Sequence, residues 1–217
     1  MLINDVILEI NKNFPELKIK FKDQSLLMKF LGFILFFNKD FMSAFTTTLG
    51  STIYYPSEDY LKNRPVTSLV ILLHELVHVI DFNKNKLLFI FLYLFPQILA
   101  LLAVPAFFFS WKLSAIFLLF LLPLPAYFRM KYERKAYAVS LYVIHQLSVK
   151  KNFKAELAVQ KDNYISYFKD KDYYYMWIFK SINSDFEEYL SKIEKGERPF
   201  EDASFDLVDK YIDFACK

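Results

Sequence analysis

Three histidines occur in the 217 residues, and two of them stand four apart in the run His74-Glu75-Leu76-Val77-His78. Four residues slightly exceed one helical turn, so on a helix both imidazoles leave the same face and can grip one metal ion together. Glu75 sits about 100° around from His74, near enough to take a proton from a water beside the metal without becoming a ligand. A hydrolytic zinc needs three protein ligands and an open position. Cys216 is the only cysteine, which excludes an intrachain disulfide and a thiolate cluster and leaves histidine and carboxylate as donors. Glu133 is the expected third ligand, against the plainer reading of a solvated carboxylate at a helix N-terminus. His145 competes for that role but falls three turns beyond Glu133 and about 120° away around the helix. Asp81, three residues after His78, stays on the ligand-bearing face. It is expected to orient an imidazole or the Glu133 helix, or merely to sit in solvent at the helix end. Tyr137, one turn after Glu133, is a candidate for stabilising an oxyanion, with ring packing as the plainer role.

Several elements must position these groups. Residues 1–14 carry the spacing of an amphipathic helix, and Leu26 to Phe37 form a short apolar run, broken by Lys29, that suits a helix lying on or near a membrane surface. Residues 41–55, rich in Thr, Tyr and Phe around Leu49-Gly50-Ser51, predict a β-hairpin. Thr67 or Ser68 can then cap the helix that holds His74 and His78. Leu87 to Trp111 is free of charge; as a helix of about 25 residues at about 1.5 Å each it would reach across a bilayer core of roughly 30 Å. A second uncharged run, Leu113 to Phe128, follows a tight corner at Ser110-Trp111-Lys112, so the pattern predicts a two-helix transmembrane hairpin. Lys84 and Lys86 precede it, and Arg129, Lys131, Arg134 and Lys135 follow it. The positive-inside rule therefore places both ends in the cytoplasm and the tip at Lys112 outside. A hairpin that runs out and back returns Glu133 to the histidines. Beyond it an amphipathic helix is expected from Lys131 to about Lys151, then helical segments that cap the catalytic unit, with an aromatic cluster at 173–179 packing on that unit or on the membrane interface.

Composition narrows the alternatives. The chain is 55% hydrophobic with a net charge of +3 spread along its length, so it has no nucleic-acid footprint. Gly32, Gly50 and Gly196 are its only glycines, which excludes the phosphate-cradling loops of nucleotide-binding folds. The acidic N-terminal stretch does not read as a secretory signal. The fold expected is mostly α with a small β-hairpin or sheet, in three parts: 1–86, the hairpin 87–128, and 129–217.

The segment LLHELVHVID, two apolar helices, and then Glu133-Arg134-Lys135-Ala136-Tyr137 together resemble the gluzincin metallopeptidases. The likeness is to the integral-membrane group that includes the bacterial heat-shock membrane protease and the CAAX-prenyl endopeptidase. It covers roughly residues 43–145, and short phage-encoded zincins share the layout. The resemblance implies a minimal zincin core in which His74, His78 and Glu133 hold Zn²⁺, Glu75 is the catalytic base, and a protein or peptide is the substrate. Where that group has Asp four residues after its ligand Glu, this chain has Tyr137, which makes Asp81 a substitute. The membrane helices that precede the motif in that group are absent, unless Leu26 to Phe37 is a remnant. The rival expectation is a non-catalytic membrane hairpin or structural protein, phage- or toxin-like, in which the motif is incidental or vestigial.

Overall fold

The computed structural model describes residues 3–36, 38–152, 154–170, 173 and 175–217. Met1 and Leu2 of the expected first helix, Phe37 of the second apolar run and Tyr174 of the aromatic cluster lie outside the described residues. The protein is 68% helical with one three-stranded sheet. Helix α1 (Ile3–Asn13) buries Ile3, Val6 and Ile10, the stripe its spacing predicts. Strand β1 (Lys18–Phe21) was not expected; only four residues long, it gives too short an alternation to stand out. Helix α2 (Leu26–Ile34) starts at Ser25, whose hydroxyl accepts from the Met28 amide, and it buries only Met28.

The hairpin is shorter than predicted. Strands β2 (Thr47–Leu49) and β3 (Thr52–Tyr55) pair antiparallel across a turn in which Gly50 takes φ +62°, a conformation that glycine adopts without strain. Strand β1 joins β3 in parallel, so the order is β1-β3-β2 and β2 lies at an edge. After α3 (Glu58–Asn63), helix α4 (Pro65–Lys84) carries the histidine motif. It begins on Pro65, not on a Thr67 or Ser68 cap, because proline's fixed φ and missing N–H suit a first helical position. Apolar nearly all round, α4 packs as a core helix. Among the described residues it is the one helix long and apolar enough to cross a membrane by itself.

The expected first span does not form as one helix. Helix α5 (Lys86–Leu94) stops before Pro96, where proline lacks a donor and drives Phe95 to an extended conformation. The chain then bends by 91° into a 3₁₀ segment (Gln97–Leu102) and α6 (Ala103–Phe107). It returns through α7 (Trp111–Leu118) and a 3₁₀ turn (Leu119–Leu121). At about 1.5 Å per residue α5 is only about 13 Å long, well short of a bilayer core.

Helix α8 (Tyr127–Lys151) is the central element, packed by α4, α5, α9 (Leu157–Lys169), α10 (Ser181–Glu194) and α11 (Ser204–Cys216). Its C-terminus closes on Asn152 in the left-handed region. One hydrophobic core runs from Ile3 to Ala215, joining the segments before and after the hairpin. No described residue between 81 and 125 belongs to it. The hairpin instead exposes large apolar side chains, with Leu87, Phe108 and Phe109 each more than 80% accessible.

Candidate metal centre

Helices α4 and α8 lie side by side, and their contact brings together residues more than fifty positions apart in the chain. His74 Nε2 is 3.7 Å from Glu133 Oε2, and His78 Nε2 is 3.5 Å from Glu133 Oε1. One ligand atom from each of the three residues lies within 4.8 Å of the others. Donors placed tetrahedrally around zinc at 2.0–2.1 Å stand about 3.4 Å apart, so this set fits the ion with small adjustments. All three are buried, and among the described residues they are the one group of three or more His, Cys, Asp or Glu side chains able to hold a metal.

The electrostatics suit a cation. Burial opposes charge on His78, but the Glu133 carboxylate beside it outweighs burial and lifts the imidazole above its ordinary value. Burial would likewise raise Glu133; His78 and His74 instead hold it well below the usual carboxylate range. Glu133 is therefore an anion at neutral pH, ready to ligate.

Three hydroxyls surround this set. Thr48, on the edge strand β2, donates to Glu75 Oε2 at 2.8 Å. Tyr93 on α5 donates to Glu133 Oε1, and its ring meets that of His78 edge-on at 6.0 Å. Ser140 Oγ lies 3.1 Å from His74 Nδ1. His78 Nδ1, by contrast, is buried without a hydrogen-bond partner. None of the three hydroxyls was identified from sequence. Ser140, seven residues after Glu133, follows from helical spacing once Glu133 is accepted, whereas Tyr93 depends on the fold of the hairpin and Thr48 on strand placement.

Asp81 contacts no imidazole. It pairs with Lys84 at 2.9 Å and with Lys135 at 3.0 Å, and Lys135 also reaches Asp202 at 3.0 Å. Asp81 thus ties α4 to α8 two residues beyond Glu133. Tyr137 packs its ring edge against His74, with centroids 4.6 Å apart, and its hydroxyl bonds that of Tyr173. Burial pushes both phenols well above their ordinary pKa, so they are neutral donors at physiological pH. Tyr173 accordingly places the start of the aromatic cluster on the metal-ligand side of the core, where it also meets Phe45. His145 stays outside the ligand group, and its Nδ1 is buried without a partner.

No protein-family model, curated protein or solved structure matches the chain, so the ligand geometry itself carries the functional reading.

Proposed function

We propose that the protein is a membrane-associated zinc metalloendopeptidase of the gluzincin type. The observation that carries this reading is the convergence of His74, His78 and Glu133 beside Glu75. A zinc ion held there supplies Lewis-acid polarisation of a peptide carbonyl and acidifies water. Glu75, next in sequence to a ligand, takes the proton of the attacking water and returns it to the leaving amine. Thr48 donates to Oε2 alone, which leaves Oε1 to accept from that water. The position of β2 at the sheet edge would let an extended substrate add as a further strand, which favours selection by backbone and pocket shape. The bonded hydroxyls of Tyr137, whose ring packs on His74, and Tyr173 have one proton left between them to offer a developing oxyanion.

Residues 87–128 insert into the bilayer from the cytoplasmic face as a bent hairpin. Their exposed Leu and Phe side chains and the basic residues at either end support this seating. The exposed apolar side chains of α2, Leu26, Phe30 and Phe33, suit the same surface. The substrates are then membrane-associated or partly unfolded proteins presented at that surface.

Metal analysis of the purified protein in detergent tests the reading. About one zinc per chain is expected, lost in His74→Ala. A wild-type protein without zinc would favour the structural, non-catalytic hairpin. Glu75→Gln should keep the metal and lower cleavage of casein by about 10²–10⁴-fold; undiminished cleavage would remove Glu75 as the base.

A further inference from the structure

The metalloprotease reading requires each ligand histidine to present Nε2, and an imidazole free to choose its tautomer spends part of its time with a proton there. His74 and His78 differ in whether a neighbour prevents this. His78 Nδ1 has no partner, whereas His74 Nδ1 faces Ser140 Oγ at 3.1 Å. Ser140 is 2% exposed and lies on α8 seven residues after Glu133, two helical turns along the same face. Its own proton has a resting place, since Oγ lies 3.2 Å from the Ala136 carbonyl oxygen, which can only accept. With that proton given to Ala136, the lone pairs of Oγ remain to accept from His74 Nδ1–H. The four-residue position after Glu133 is occupied by Tyr137, whose hydroxyl turns to Tyr173 and whose ring only packs on His74.

We infer that Ser140 is the positioning residue of the metal centre: it holds His74 in the Nδ1–H tautomer and in the ring orientation that aims Nε2 at the site shared with His78 and Glu133. This inference rests on the metal site proposed above, though not on its being a peptidase. Helix α8 then supplies both a ligand and the group that orients a ligand on the facing helix, so sliding α8 against α4 would disturb two contacts together.

Zinc affinity of the full chain in detergent, measured by competition with a chromogenic chelator, is the test. Ser140→Ala should weaken zinc binding by about 10–100-fold, the usual cost of losing a hydrogen bond behind a ligand histidine. Ser140→Thr, which keeps the hydroxyl, should recover most of that loss. Ser148→Ala, on the same helix with its hydroxyl on the His145 carbonyl, should bind as the wild type does. Far-UV circular dichroism of the zinc-free proteins separates weak binding from failure to fold. In the cobalt-substituted protein, the ligand-field bands should shift in Ser140→Ala and return in Ser140→Thr. Zinc affinity in Ser140→Ala within twofold of a zinc-binding wild type would overturn the inference, as would a folded Ser140→Thr as weak as Ser140→Ala. A wild type that binds zinc but cleaves nothing would overturn the peptidase reading alone, and one that binds no zinc would remove both.

Discussion

Glu75 and Lys22 show how a single side chain is tuned by what surrounds it. Glu75 is held by Thr48 from the edge strand, so the proposed base and the strand proposed to take up substrate are already in contact. Thr48→Val should leave zinc content unchanged and alter turnover, as measured by paired metal and casein assays; loss of metal would show that the hydroxyl instead supports the ligands. Lys22 is fully buried, donates to the Phe41 carbonyl at 2.6 Å and stands 3.8 Å over the Phe41 ring. Burial draws its pKa down to about 7, against a smaller opposing pull from Glu75. Below that pH both folded and unfolded chains carry the proton, and this group adds no slope. Between about 7 and the ordinary lysine value the unfolded chain binds a proton that the folded chain has released, so stability rises with pH. Across the whole window the gain is on the order of 5 kcal/mol. Denaturant titrations from pH 6 to 10 should show that rise in the wild type and a flatter profile in Lys22→Met.

Two contacts between elements hold the candidate centre in register. Asp81 and Lys135 join α4 to α8, and both side chains are largely shielded from water. Asp81→Ala should destabilise the protein by about 1–3 kcal/mol while leaving one zinc per chain, because Lys135 keeps its bond to Asp202. Loss of zinc with an unchanged melting temperature would assign Asp81 to an imidazole instead. The second contact comes from α5, which stacks Phe89 on Tyr93 and delivers the Tyr93 hydroxyl to Glu133. Tyr93→Phe keeps the ring and deletes the donor; zinc affinity should fall by about 10–100-fold. The apolar segment therefore belongs to the site chemically as well as along the chain. Amphipathic spacing made α1 legible, and Leu49-Gly50-Ser51 marked the hairpin turn. Strand β1 escaped notice because a four-residue strand reveals itself only through its partner, and β3 lies thirty residues away.

At the scale of the molecule, one core spans both ends of the chain while the hairpin hangs outside it. The 91° bend shortens the hairpin's reach, so under the proposed membrane seating it should sit within the leaflet nearer the candidate metal centre and not emerge on the far side. Lys112→Cys in a Cys216→Ser background, treated with a membrane-impermeant thiol reagent from outside intact cells, should stay unlabelled; labelling would restore two full spans with the tip exposed.

What the residue string determined by itself was the chemistry on offer: a helix with two imidazoles and a carboxylate on adjacent faces, a distant glutamate, and a long uncharged stretch between them. Helical periodicity and residue type are local properties, so they can be read without knowing what packs where. The tertiary structure decided the rest. It bent the uncharged stretch at Pro96, drew Asp81 to Lys135 on the Glu133 helix, and set Ser140, Tyr93 and Thr48 behind His74, Glu133 and Glu75. Each of those outcomes depends on which side chains from other elements arrive within hydrogen-bonding distance, and only the packed chain settles that competition.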